Sequence, residues 1–304
     1  DFATVRGKKA DILPLWVADM DFQAPKAVRE RLFEIVEHGI FGYSDTLEDY
    51  FRAVKSWYKR RFDWEIESDW IIKTPGIVFA LAMAVKAYTE PGESVLMLQP
   101  VYYPFSEVIE DNGRKLVGSP LKLEDGYYTI DFEDMEKKIR ENDVKLLLFC
   151  SPHNPCGRVW ERWEIEKAME VYRANDCIVI SDEIWSDLTL DGHQHIPTQS
   201  VSEDARHRTL AFYAPSKTFN LAGLVGSYHI VYDSYLRDRL QSKSSKAVYN
   251  ETNVLSVHAL IGAYRAEGYQ WVDELRQVLS ENVRFACETI WSQFEGIEVS
   301  RPQG

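Results

Sequence analysis

Between residues 46 and 240 the chain alternates two kinds of hydrophobic pattern. Apolar residues recur at helical spacing over 48–61, 77–89, 131–141 and 161–175, whereas SVLMLQP, KLLLFC, CIVIS, TLAFYA and SYHIVY are short, nearly unbroken aliphatic runs. The three-to-four-residue period predicts helices, and short apolar runs predict strands buried on both faces. Strands alternating with helices predict βαβ units, and hence an α/β fold with a mostly parallel, helix-covered sheet.

The flanks read differently. A helix is predicted over 25–38, where Pro25 suits a first turn and Ala27, Val28, Leu32, Ile35 and Val36 keep helical spacing. Residues 1–45 therefore read as an irregular arm with a helix, expected to pack on a partner. Beyond 240 the pattern is helical, over 251–266 and 271–294, with heptad-like spacing of Trp271, Leu275, Val278 and Leu279. The expected organisation is an arm (1–45), a large α/β domain (46–240) and a helical connection into a second, smaller domain (241–304). Its inner boundary is a change of periodicity near 235–260.

Composition narrows the partners. With 45% hydrophobic and 27% charged residues over 304 positions, the chain can bury a substantial core. Its 35 basic and 48 acidic residues leave a formal charge of −13 with no basic block, so neither nucleic acid nor an anionic membrane surface is an expected partner. Cys150, Cys156, Cys177 and Cys287 form no CxxC pair, and two of them lie inside strand-like runs. Reduced buried thiols, and so a cytoplasmic location, are expected. No run of eighteen apolar residues occurs, and DFATVRGKKA contains no signal-peptide core.

The candidate chemistry sits where the strand runs stop. Asp182 ends CIVIS and Lys217 follows TLAFYA, so a carboxylate and an amine emerge at the carboxyl ends of predicted parallel strands, where open α/β sheets bind ligands. That pair satisfies the demands of pyridoxal phosphate (PLP): a lysine to condense with the aldehyde, and a carboxylate to keep the ring nitrogen protonated. After the strand-like IIKT, Gly76, Ile77 and Val78 open a helix whose free N–H groups and positive dipole end suit a phosphate. Alone, the TPG turn is only a tight strand-to-helix turn; beside Lys217 and Asp182 it reads as the phosphate site, with Ser216 adding a hydroxyl. Asn154 starts a turn in HNPCG, as Asn-Pro commonly does. His153, His193 and His195 lack the carboxylate or cysteine spacing of zinc motifs and read as loop residues, so no metal is expected. Neither GxGxxG nor GxxxxGK[ST] is present.

These segments, with LPLWVADMDF, FGYSD, TPGIVFAL, PVYYPF and SPHNPCGRVW in that order, resemble the fold-type I PLP enzymes, and among them the MalY/PatB family of cystathionine β-lyases. The resemblance covers nearly the whole chain. It implies that Lys217 bonds the cofactor, Asp182 pairs with the ring nitrogen, Asn154 hydrogen-bonds the phenolic oxygen and Tyr102 stacks on the ring, with Tyr103 as its neighbour. It implies further that Tyr43 reaches the phosphate of a neighbouring subunit in a homodimer. Family members continue beyond EVSRPQG into most of a small domain that usually carries the arginine gripping the substrate carboxylate, and no residue here takes that role.

Three departures separate the chain from aminotransferases of the same fold. Val225 stands where those enzymes hold a phosphate-binding arginine, a replacement shared with the MalY/PatB lyases. Trp185 replaces a tyrosine three residues after the aspartate and can donate but not ionise. Ala214 replaces a serine three before the lysine. The expected function is a PLP-dependent C–S β-lyase acting on an amino-acid thioether such as cystathionine. An aminotransferase, and a MalY-like lyase with an added transcription-regulatory role, remain open.

Overall fold

The computed structural model describes residue 7 and residues 18–45, 48–248 and 251–304. LPLWV, the first half of LPLWVADMDF, lies outside the described residues. Chain order opens with α1 (Lys26–His38), α2 (Glu48–Phe62), β1 (Ile71–Thr74), α3 (Ile77–Tyr88), β2 (Ser94–Gln99), α4 (Pro104–Asp111) and β3 (Lys115–Pro120). A hairpin of β4 (Lys122–Glu124) and β5 (Tyr127–Thr129) precedes α5 (Phe132–Glu141), β6 (Leu146–Cys150), α6 (Arg162–Ala174), β7 (Ile178–Asp182) and α7 (Glu203–Arg208). Then follow β8 (Thr209–Tyr213), the short α8 (Pro215–Thr218), β9 (Ser227–Val231), α9 (Ser234–Ser245), α10 (Val254–Ala263) and α11 (Ala266–Gln293).

The described strands form a seven-stranded sheet in the order β1-β9-β8-β7-β6-β2-β3, beside the β4–β5 hairpin. Neighbours pair in parallel except at β9, which is antiparallel to β1 and β8. The expected mostly parallel sheet is present, and β9 is its exception for a geometric reason. Residues 214–226 stay at the edge where β8 ends, so the chain re-enters there and runs back.

Strand alternation feeds cores on both sheet faces. In β6, Leu146, Leu148 and Cys150 pack with α3, while Leu147 and Phe149 join the cluster containing residues of α5 and α6. In β8, Leu210 and Phe212 join the first cluster, and Ala211 and Tyr213 meet α2 and α10. Helices on both faces leave the carboxyl edge of the sheet as the place where loops can hold a ligand. Several ends are capped in the ordinary way: Asp131 accepts from the Asp134 N–H at α5, and Asn253 from the Ser256 N–H at α10.

The helical stretch beyond 240 is continuous with this architecture. Residue 240 falls inside α9, and α10 buries its faces against α1 and α2. Gly262 makes the α10–α1 crossing possible, since a Cβ there would lie 2.9 Å from the Ala27 carbonyl oxygen. No described helix is long and apolar enough to cross a membrane.

Candidate active site

The carboxyl ends of β1, β2, β6, β7 and β8 and the start of β9 meet around a cleft of about 710 Å³. Each strand delivers residues through the loop that follows it. After β1 come Gly76, Ile77 and Val78; after β2, Tyr102 and Tyr103; after β6, Asn154. β7 delivers Asp182, Ile184 and Trp185, β8 delivers Ala214, Ser216 and Lys217, and Val225 precedes β9. Nine of the ten residues singled out from sequence line this one cleft. Tyr43 does not. It stands fully exposed on a separate, wider concavity of about 1150 Å³ with Phe51, Ile71 and Asn253.

Asp182 is 5% exposed and accepts a hydrogen bond from the Ile184 N–H at 3.1 Å. Burial pushes its carboxyl up to about 7, against the pull of that N–H and of the Lys217 charge. Lys217 sits in α8, with Pro215 in the first turn, and its Nζ lies 5.6 Å from the centroid of the Trp185 ring. The indole face is thus turned to the amine, a cation–π arrangement.

Tyr102 is held by its backbone, whose N–H donates to the Asn154 carbonyl at 3.1 Å, and its ring meets Phe105 edge-on. The neighbouring Tyr103 also lines the cleft but is more exposed, 68% against 39%. The Asn154 turn is itself braced. The His153 N–H donates to the Arg158 carbonyl at 2.7 Å, and the His153 ring bonds the Pro100 carbonyl at 2.8 Å, joining the loops after β2 and β6. His153 is fully buried, and burial lowers its pKa to about 4, so it is a neutral strut. His195 is equally buried and bonds Glu183 at 2.6 Å. Two of the three loop histidines are therefore interior supports, and no described group of His, Cys, Asp and Glu is arranged to hold a metal.

Other residues that the sequence did not single out support the site. Glu183, next to Asp182, accepts from Ser181 Oγ, the Thr198 N–H and Tyr213 Oη and bonds His195. Burial alone would raise its pKa, but these partners hold it below the ordinary carboxylate value. Asn220 clamps the arm to the lysine loop: it accepts from the Met20 N–H at 3.1 Å and donates to the Met20 carbonyl at 2.7 Å. It sits at a left-handed φ of 57°, which asparagine tolerates better than most residues.

Whether pyridoxal phosphate fits can be judged from what the site leaves uncompensated. Among the described residues Asp182 is a buried acid with no ion pair, where a pyridinium would supply the missing cation. The start of α3 has no side-chain cap and no acidic residue in its first turn, which suits its N–H groups to an anion. Lys217 stands on the same cleft. The residues fit. The Gly76 backbone, φ 96° and ψ 149°, belongs to a region that side chains rarely tolerate, and a Cβ there would approach Val225 Cγ1 at 3.3 Å. Gly76→Ala is expected to cost roughly 1–3 kcal/mol of stability and to weaken cofactor binding, measured by denaturant midpoints and cofactor titration. An unchanged midpoint would count against this.

The chain belongs to the aminotransferase class I and II family, whose model matches residues 10–304. Within it, the chain is 41% identical over 292 residues to cystathionine beta-lyase PatB of Bacillus subtilis (strain 168), covering 96% of this chain and 75% of that protein. It is 31% identical over 308 residues to protein MalY of Escherichia coli (strain K12), covering 100% and 77%. The PLP-bound C-S lyase from Staphylococcus hominis superposes with a TM-score of 0.90 at 32% identity, covering 96% of this chain and 74% of that one.

Proposed function

We propose that this protein is a PLP-dependent C–S β-lyase that cleaves L-cystathionine or a related cysteine S-conjugate. One water is consumed, and thiol, pyruvate and ammonia are released. The observation that carries this reading is the convergence of Lys217 and buried Asp182 on one cleft, in a chain 41% identical to a cystathionine β-lyase.

Lys217 Nζ would hold the cofactor, and its amine is the group placed to take the Cα proton of the substrate. When bound, the cofactor supplies an electron sink for the charge developed at Cα. Asp182 would hold a proton on the ring nitrogen, while Gly76, Ile77, Val78 and Ser216 would bind the phosphate. Asn154 would orient the phenolic oxygen and Tyr102 would cover the ring, with Trp185 flanking the lysine. The exposed Tyr43 serves the cleft of a second chain, so the working unit is a homodimer. The apolar groups exposed on and after α1, Phe33, Val36, Ile40 and Phe41, belong to the same dimer surface. The division into arm, large domain and helical connection completes the reading, with a cytoplasmic location consistent with four free, buried thiols.

The test is pyruvate release from L-cystathionine by the holoenzyme with no amino acceptor. Pyruvate over many turnovers is expected. Activity that requires a 2-oxo acid would make the protein an aminotransferase instead.

A further inference from the structure

Asp187 lies outside the cleft lining, five residues after Asp182, yet touches both catalytic loops' supports. Its Oδ2 accepts from Thr218 Oγ1 at 3.0 Å, and Thr218 directly follows Lys217. Its Oδ1 accepts from Trp57 Nε1 at 3.1 Å and faces Arg61 Nε at 3.5 Å, both on α2. Asp187 is 5% exposed, Thr218 is fully buried and Trp57 is 2% exposed, so each bond joins groups with little access to solvent. Trp57 is itself fixed, stacked on Tyr264 at 4.5 Å and edge-on to Phe219.

The geometry matters because α8 is only four residues long. Two backbone bonds, Phe219 N–H to the Pro215 carbonyl and Leu221 N–H to the Ser216 carbonyl, hold its shape. They do not fix its place against the neighbouring loop. Asp187 belongs to the turn that carries Asp182 and Trp185, where the Ser186 N–H donates to Glu183 and the Leu188 N–H to Trp185. The carboxylate therefore latches the lysine-bearing turn to the aspartate-bearing turn and anchors both to α2.

We propose that Asp187, through Thr218, is a positioning residue that sets Lys217 relative to Asp182 and the bound cofactor. This rests on the reading that Lys217 holds the cofactor. Among the described titratable groups, Arg61 contacts Asp187, and Arg276 and His195 lie within electrostatic reach. Arg61 in turn pairs with Asp273 at 2.7 Å. The two carboxylates keep the guanidinium in place, and the hydroxyl of Thr218 hydrogen-bonds Asp187 to the lysine turn. A shift of about 1 Å in a reacting group can cost on the order of a hundredfold in rate.

The experiment compares holoenzymes carrying Thr218→Val and Thr218→Ser. Valine keeps the shape and removes the hydroxyl; serine keeps the donor. Two readouts are followed: the pH midpoint of the cofactor's visible absorption band without substrate, and kcat and KM for thioether cleavage. Thr218→Val is expected to displace the midpoint and lower kcat about tenfold with KM within about twofold, and Thr218→Ser to restore both. If Thr218→Val does not fold, Trp57→Phe removes the other neutral donor to the same carboxylate and should displace the midpoint in the same direction. A lower melting temperature with an unmoved band and kcat would overturn the proposal, since that is what a purely structural bond gives. A native holoenzyme with no pH-dependent band would overturn the underlying reading of Lys217 as well.

Discussion

The Lys217→Ala holoenzyme is expected to lose β-lyase turnover by at least about 10³-fold, toward the upper end of what a general base contributes, with loss of the covalent link added. The fold should persist, because the contact recorded for the amine is its approach to the Trp185 ring rather than a bond that closes the core. Cofactor should still associate through the α3 terminus and Asp182, with an altered absorption band. A small primary amine in the buffer is expected to restore part of the rate by replacing the missing base. Undiminished cleavage by this variant would remove the central assignment.

Asp182→Asn keeps the side-chain volume and removes the charge. A fall in turnover of about 10²–10³-fold is expected, the range seen when a single preorganised electrostatic partner is lost. The same substitution has a second signature in the cofactor-free protein. Folding raises the Asp182 pKa to about 7, from an ordinary value near 4. Between those values the folded state binds more protons than the unfolded one, so stability falls as pH rises, by up to about 1.4 kcal/mol per pH unit from this group. Denaturant melts of the apo protein from pH 4 to 8 should show that slope, and Asp182→Asn should flatten it. Bound cofactor should flatten it too, by pairing the carboxylate. A slope that survives the substitution would place its origin elsewhere.

The lysine and the aspartate were legible because each follows a strand that sequence marks plainly. TLAFYA and CIVIS became β8 and β7 with ends within a residue of expectation. The helix after IIKT begins at Ile77, as the TPG turn implied. What stayed hidden has physical causes. β3, KLVGSP, carries a glycine and a proline and lacks an apolar run, and the β4–β5 hairpin is exposed and only three residues a side. The reversal of β9 is decided by where a loop lies, which hydrophobic period does not record. Trp271 and Leu275 were expected in a helix of their own, yet α11 starts at Ala266, since the Gly268 that interrupts the pattern is packed inside the helix. Asp187 was not singled out and His195 read as a loop residue, because sequence cannot tell a buried polar group with partners from a solvated one. Tyr102 and Tyr103 both line the cleft, and burial, which sequence does not give for adjacent tyrosines, is what sets them apart.

The four thiols have a consequence for the proposed product chemistry. A lyase of this kind liberates a sulfur nucleophile beside Cys150, which lines the cleft at 2% exposure. Once such a product is oxidised to a disulfide, any accessible thiolate on the enzyme would exchange with it and trap the active site as a mixed disulfide. Burial denies that reaction its nucleophile. The Cys150 thiol is pushed far above its ordinary value, and those of Cys156 and Cys177 to about 11, so at neutral pH these sulfurs stay protonated. These three sulfurs are thereby kept out of a pool the enzyme would continually replenish, and alkylating reagents should label them slowly until the protein unfolds.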